Sequence, residues 1–515
     1  MTGRMGGSKG GARLVAAGIL LSRVFGLVRQ KVMAFFLGDG DAADVLASAF
    51  RIPNVLQNLF GEGVLSASFI PVYAKLLAEG DEAEAGRVAG AIASLLALVT
   101  TVIVLLGVLG APWLVAAIAP GFTAEKRELA VLLVRVIFPG VGLLVMSAWC
   151  LGVLNSHRHF FLSYASPVLW NVAMIVAFIV AGPRQEREAL VVTVAWASVV
   201  GSLLQFAIQV PTVWRLDRAL RFSLARSSTT RTVVRNFVPV FVGRGVVQLS
   251  SFVDTAIASL IGAGALATLN YAQAISMLPV SLFGMSVSAA ELPAMSGEQG
   301  SDEVRAAALR TRLGRGLERI AYFVIPSAAA FLMIGGVLAA GLYQGGAFTV
   351  ESAQWVWAAL AGAAVGLLAS TMGRLYASTF YALQDTTTPL RYALVRVTLG
   401  ALLGWGAALY LPRAMGWDPR WGVAALTAAS GVAGWVEFVL LRRAITRRIG
   451  PTGVPAKRLA LLWTSAIASG VVSAGAVQLV VARHAVLVAI VAVVTFGVPY
   501  LALTRLLRVD DGRRT

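Results

Sequence analysis

Apolar runs of about twenty residues recur along the whole chain, separated by short charged or glycine- and proline-containing connections. A spanning helix requires about 20 mostly apolar residues. That ruler marks fourteen segments: 12–37, 45–73, 88–112, 129–154, 161–181, 189–213, 236–261, 265–295, 320–342, 353–381, 392–412, 421–441, 459–482 and 485–504. The predicted fold is therefore an all-α polytopic membrane protein with about fourteen transmembrane helices.

The pattern also repeats. Leu37-Gly38, Gly40, Phe60-Gly61, Ser66 and Pro71 reappear as Ile261-Gly262, Gly264, Phe283-Gly284, Ser288 and Pro293, about 223 residues later. An even number of spans lies between the copies, so the repeat is parallel, an arrangement that secondary transporters use with the substrate site between the halves. The expected division is residues 1–214 for a first six-helix lobe, 215–445 for a second and 446–515 for two further helices with a tail. Prolines 53, 71, 139, 167, 279 and 293 lie in or at the ends of apolar segments, where each removes a backbone donor. Gly362/Gly366 and Gly400/Gly404 have the four-residue spacing that lets helices approach closely. Trp113, Trp355, Trp417 and Trp421 fall at outer span ends, as interfacial anchors do.

Composition strengthens the membrane assignment: 58% of the 515 residues are hydrophobic, 13% are charged, and mean hydropathy is +0.79. The net charge of +18 would suggest nucleic acid in a soluble protein. Here its distribution gives topology instead, and no nucleic-acid partner is expected. With the N-terminus in the cytoplasm, the inner connections hold 28 Lys and Arg and the outer ones seven. That bias puts both termini on the cytoplasmic side. The first forty residues do not read as a cleavable signal peptide, because Arg23, Arg29 and Lys31 interrupt the apolar stretch.

The inventory excludes several chemistries. No Gly-Lys-Ser/Thr run exists to cradle a nucleotide phosphate. Three histidines (His157, His159, His484) and the single Cys150 offer neither zinc spacing nor a disulfide. No nucleophile–base set or metal site stands out, so a transporter is expected rather than an enzyme.

Eight basic residues remain inside or at the ends of spans: Arg23, Arg29, Lys31, Arg51, Arg135, Arg244, Arg374 and Arg396. On insertion scales a centrally placed arginine costs about 3 kcal/mol, so Arg23, Arg29 and Arg51 facing lipid would cost roughly 8–10 kcal/mol. Arg23 and Arg29 are six residues apart, about 9 Å along a helix. Asp44, Asn54 and Glu62 follow on the next span. Two readings compete: an internal salt-bridge network, or a hydrated cavity with surplus positive charge for an anionic substrate, whose phosphate oxygens suit arginine's planar donor fork. Arg244 gives the second half a matching cation. Asp254, ten residues on, either binds a coupling monovalent cation or proton or pairs with Arg244.

Ser22-Arg23-Val-Phe-Gly-Leu-Val-Arg29, Ala49-Phe-Arg51-Ile-Pro53-Asn54, Phe60-Gly-Glu62-Gly63, Gly152-Val-Leu-Asn155-Ser156 and Tyr381-Ala-Leu-Gln-Asp385-Thr-Thr-Thr-Pro389 together resemble the MurJ (MviN) family. The resemblance implies flipping of lipid II, the undecaprenyl-pyrophosphate-linked peptidoglycan precursor, in the bacterial cytoplasmic membrane. It implies two pseudo-symmetric six-helix lobes around a cationic cavity, with the last two helices forming a groove for the lipid tail, as in the multidrug and polysaccharide exporter superfamily. Arg23, Arg29, Asp44, Asn54 and Glu62 occupy motif positions that the family associates with function. Two positions depart from the pattern: Gln57 stands where the family usually has a basic residue, and Tyr271-Ala272-Gln273-Ala274 replaces a Tyr-Ala-Asp-Arg run. Another lipid-linked oligosaccharide, a drug or metabolite antiported by the same fold, and a non-transport scaffold are the competing readings. A monomer without a cofactor, apart from a coupling cation, is expected.

Overall fold

The structure is a computed structural model. It describes residues 6–60, 64–65, 68–223, 227–288, 291, 295, 301–480 and 484–509. The chain divides into two compact units, Met1–Gln248 and Leu249–Thr515. The described residues form helices and no named strand.

The first unit contains α1 (Gly6–Leu37), α2 (Asp41–Phe60), α3 (Ile70–Glu79), α4 (Glu82–Leu109), α5 (Ala111–Ile118), α6 (Ala124–Ser156), α7 (Phe160–Ala165), α8 (Pro167–Ala181), α9 (Arg187–Ala207), α10 (Val210–Leu216) and most of α11 (Ser228–Ile261). The second contains the end of α11, then α12 (Ala265–Pro279), α13 (Asp302–Met333), α14 (Gly335–Tyr343), α15 (Val350–Ala382), α16 (Thr387–Leu409), α17 (Leu411–Met415), α18 (Trp421–Ile449), α19 (Ala456–Leu479) and α20 (Ala485–Leu506).

Among the described residues, eleven helical segments are long and apolar enough to cross a membrane. They coincide with eleven of the fourteen expected spans. The other three expected spans are α1, α2 and α11, of which α11 supplies a shorter apolar stretch, Gln248–Ile261. The polar residues on α1 and α2 explain the shortfall there: Arg23, Arg29 and Lys31 on α1, and Asp41, Asp44, Arg51, Asn54, Gln57 and Asn58 on α2. These are also the helices that carry most of the candidate site.

The expected repeat is visible in the helix ends. α1 stops at Leu37 and α2 starts at Asp41; α11 stops at Ile261 and α12 starts at Ala265. Gly38 has φ 64°, Gly262 143° and Gly264 80°, a region that a side chain disfavours. The Pro71 copy starts α3, whereas Gly61, Ser66 and Pro293 lie outside the described residues. α12 passes at Pro279 into a wide π-type turn, Val280–Met285, as a missing N–H permits.

In the first unit the core gathers Phe69, Tyr73, Val88, Ile92, Val145 and Trp149 from α3, α4 and α6 and their approach. Trp149 Nε1 donates to the Ala89 carbonyl at 3.1 Å. Ser147 Oγ accepts from Gln205 Nε2 at 3.0 Å and Gln209 Nε2 at 2.6 Å, so both amide nitrogens find a partner within the protein, whereas the buried Gln209 Oε1 accepts no hydrogen bond. In the second unit α15 and α18 lie in close contact. A Cβ on Gly362 would strike Ala424 and Thr427, and one on Gly366 would strike Gly431. The small-residue spacing expected at Gly362/Gly366 thus serves helix approach. α19 and α20 pack on each other and on α13 and α14. Arg458 pairs with Glu318 at 2.9 Å, and Tyr500 donates to the Tyr322 carbonyl at 2.6 Å.

The expected tryptophan anchors form a cluster in the second unit. Trp355 and Trp421 have ring centroids 5.9 Å apart, Trp417 and Trp421 6.2 Å apart, and Arg420 lies 5.7 Å over Trp355. Trp113, in the first unit, is exposed.

Candidate functional site

α1 and α2 bring the candidate residues together in the first unit. On α1, Met33, Ala34 and Leu37 bury the inner face, while Arg23 is exposed and Arg29 half-buried. Arg29 lies with its guanidinium carbon 4.8 Å from the centroid of Trp170 on α8. Phe50 on α2 meets the same indole edge-on at 5.8 Å. Arg51 is the next residue along α2.

The helical period explains the polar stripe on α2. Arg51, Asn54 and Asn58, at i, i+3 and i+7, share one side, whereas Val45, Leu46, Ala49, Ile52, Pro53 and Val55 are buried. Asn54 and Asn58 are exposed and Arg51 half-buried. Gln57, at the departure position, is half-buried on the same helix.

Asp44 has a different setting. It is buried near the start of α2, with Lys126 Nζ of α6 at 3.4 Å, and Lys126 reaches Asp41 at 2.5 Å. Lys126 is one of the seven basic residues of the outer connections, where charge pattern alone assigns it no partner. A buried carboxylate beside a mostly buried ammonium reads as a clamp between α2 and α6.

The second-half candidates are less fully described. Arg244 lies on α11, where its side chain is outside the described residues. Glu62 is outside them altogether. Asp254, on α11, accepts a hydrogen bond from Ser430 Oγ of α18 at 3.3 Å. Ala274 is half-buried on α12.

Two participants escaped the sequence analysis: Trp170 and Lys126. Trp170 sits three residues after Pro167 in an apolar run, and only an aromatic placed well inside a span could have signalled it. A second charged group was only partly anticipated. Arg374 and Arg396 were recognised as intramembrane cations, but Glu437, which lies 3.4 Å from Arg396, was not.

A third polar cluster lies at the helix ends of the first unit. The Tyr73 hydroxyl donates to Asp217 Oδ2 at 2.9 Å and lies 3.0 Å from His157 Nε2. Burial lowers the proton affinity of His157, against the pull of Asp217, and burial raises that of Asp217, against Tyr73 and His157.

Comparison with known proteins is consistent with this geometry. Residues 33–506 match the family model described as lipid II flippase MurJ. The chain is 32% identical over 437 residues to the lipid II flippase MurJ of Burkholderia cenocepacia, covering 83% of this chain and 82% of that one. It is 31% identical over 472 residues to a probable lipid II flippase MurJ of Rhizobium tropici, covering 89% and 85%. A structure of lipid II flippase MurJ in an inward closed conformation superposes with a TM-score of 0.78 over 96% of this chain and 98% of that one, at 19% identity. An inward-facing multidrug transporter of the MATE family gives 0.63 over 83% and 95%, at 18% identity, which places the fold among those exporters. The extent of the family match and the identity to its curated members establish that the chain belongs to the MurJ family of lipid II flippases.

Proposed function

We propose that this chain is a lipid II flippase, moving the undecaprenyl-pyrophosphate-linked peptidoglycan precursor from the inner to the outer leaflet of a bacterial cytoplasmic membrane by alternating access. The observation that carries the reading, beside family membership, is Arg29 stacked on Trp170, with Arg23 on the same helix and Arg51 next to Phe50, which meets the same indole. Cations held among spans are expensive unless they meet an anion or water. A pyrophosphate supplies the anion and matches the guanidinium fork. Arg23, Arg29, Arg51, Asn54, Glu62 and Arg244 are the proposed substrate contacts, with Asp44 positioning α2 through Lys126.

The chemistry is transport, with no covalent step, and the proposed partners are lipid II and membrane lipids. Both termini are proposed to be cytoplasmic, on the charge asymmetry of the connections, and the working form is a monomer. Asp254 with Ser430 is the proposed place for a coupling monovalent cation, because a carboxylate and a hydroxyl provide hard oxygen ligands.

Gln57 and Ala274 favour a second reading, a different lipid-linked oligosaccharide, since both positions lack a family cation. A cationic-drug antiporter is disfavoured by the surplus of arginines over carboxylates on α1 and α2. The deciding experiment is exposure of lipid II on the outer leaflet of cells depleted of their own flippase. The chain should restore exposure, and Arg23→Ala/Arg29→Ala at matched membrane levels should not. No restoration by the unmutated chain would transfer the assignment to another lipid-linked saccharide.

A further inference from the structure

Three charged side chains of the second unit, one each from α15, α16 and α18, lie within electrostatic reach of one another. Arg396 Nε on α16 lies 3.4 Å from Glu437 Oε2 on α18. Arg374 on α15 is within electrostatic reach of both. Tyr381, an exposed residue, carries its hydroxyl within electrostatic reach of Glu437.

Helix packing sets this meeting. α15 and α18 run in register, with Gly362 against Ala424 and Thr427 and Gly366 against Gly431. Two turns beyond Gly366 is Arg374, and less than two turns beyond Gly431 is Glu437. α16 packs antiparallel on α18 through Gly404 against Leu426 and Gly400 against Ala433, which brings Arg396 opposite Glu437. Arg448, near the end of α18, pairs with Asp385 in the α15–α16 turn at 2.5 Å, so these helix ends are level. At 1.5 Å per residue, Arg374, Arg396 and Glu437 lie about 12, 14 and 17 Å inside that end. They form one layer within three spans.

Arg396 pairs with Glu437 while Arg374 lies within electrostatic reach of both, leaving a surplus positive charge in the group. The geometry is also unsaturated. The buried Arg396 Nε makes no hydrogen bond, its 3.4 Å approach to Glu437 being poorly aligned. Arg374 is exposed, although Gly373, Leu375 and Tyr376 beside it are buried and α15 has the most buried apolar window of the eleven spans. A structural ion pair needs one arginine; the second has no such duty.

We propose that Arg374 and Arg396 form an anion subsite for the phosphate groups of a polyprenyl-linked headgroup, with Glu437 as the internal counterion that the phosphates displace. This rests on the flippase reading and adds substrate contacts on α15 and α16, where Ala274 and Gln57 leave other positions without a cation. Glu437 keeps the cations satisfied when the subsite is empty and competes with the ligand when it is not.

The competition gives the test its sign. The full chain is reconstituted in nanodiscs of zwitterionic lipid, and binding of undecaprenyl pyrophosphate and of inorganic pyrophosphate is measured. Arg374→Gln should weaken undecaprenyl pyrophosphate at least tenfold, and Arg374→Lys should retain binding within a few fold. Glu437→Gln should tighten it several-fold, because the competing carboxylate is gone. Inorganic pyrophosphate should bind far more weakly than the lipid; equal binding would overturn the lipid headgroup as the ligand. Unchanged affinity in Arg374→Gln, or a loss in Glu437→Gln with a lowered melting temperature, would overturn the subsite and leave a structural ion pair. Should Arg29→Gln abolish binding while Arg374→Gln leaves it unchanged, the subsite fails while the flippase reading stands; should the unmutated chain bind no undecaprenyl pyrophosphate, both fail.

Discussion

Arg29 and Trp170 stack, with the guanidinium carbon 4.8 Å from the indole centroid. A desolvated arginine–tryptophan stack is worth about 1–2 kcal/mol, which corresponds to roughly 5–30-fold in an equilibrium. The indole holds the guanidinium plane in one orientation without consuming its charge, leaving the donors for a ligand. Trp170→Leu should therefore lower lipid II flipping by about that factor, and Trp170→Tyr should retain most of it. Transport at matched protein levels is the measurement, and full activity in Trp170→Leu would remove the indole from the site.

Lys126 bridges Asp41 and Asp44, with Lys126 13% and Asp44 1% exposed at the side chain. Removing one partner of a buried pair costs about 3–5 kcal/mol because a charge is left stranded. Lys126→Met should lower the melting temperature of the detergent-solubilised chain, and adding Asp44→Asn should recover much of the loss. A double variant no more stable than Lys126→Met would mean that the clamp is not the source of the effect.

The spans were legible wherever the apolar period was uninterrupted, as in Glu82–Leu109 and Val350–Ala382. Their lengths were less so. The span expected at 320–342 belongs to a helix starting at Asp302, whose first turns are polar and capped by the Ser301 hydroxyl. A hydropathy ruler measures the apolar part of a helix and ignores propensity and caps. In the site, Arg23, Arg29 and Arg51 announced themselves by cost, since a charge in an apolar run needs a reason. Trp170, Lys126 and Glu437 did not, because each acquires its role from a partner at least 40 residues away in sequence. Contacts of that kind are products of packing, which no local pattern encodes.

His157 gives the fold a pH dependence of predictable sign. Burial lowers its folded-state proton affinity below the ordinary 6.5, so acid favours the unfolded chain. Its stabilising contribution is present above 6.5 and is lost as pH falls toward the folded-state value. Asp217, Glu82 and His159 are the other titrating groups around it. Asp217, raised chiefly by burial, acts in the opposite sense: its contribution declines as pH rises from 3.8. Melting temperatures measured from pH 8 to pH 5 should fall on acidification, and His157→Asn should flatten that fall. An identical slope in the variant would remove His157 from the effect.

Asp385 behaves differently. Burial raises its proton affinity, but the Thr388 backbone and hydroxyl donors and the Arg448 guanidinium outweigh it and hold the carboxyl at about 2. It accepts from the backbone N–H of Thr387 at 3.0 Å and Thr388 at 2.9 Å, capping α16. Its contribution is present above 3.8 and is lost only as pH falls toward 2. Asp385→Ala should cost about 1 kcal/mol, the usual value of a helix cap. The cost should be constant between pH 5 and 8 in thermal unfolding, and a strong pH dependence there would contradict the depressed carboxyl.

The contact of Gly366 with Gly431 controls more than stability, because the same register aligns Arg374 with Glu437. A Cβ on either glycine would collide with the other helix's backbone, which cannot swing away as a side chain can. Overpacking of this kind costs about 1–3 kcal/mol and is relieved by moving the helices apart. Gly366→Ala and Gly431→Ala should each lower the melting temperature, and separation of α15 from α18 should also draw Arg374 away from Glu437. Gly434 is the control, since a Cβ there meets nothing within 4 Å. Gly434→Ala should stay within about 0.5 kcal/mol of the unmutated chain. If all three variants melt alike, close backbone approach does not set the register of these helices.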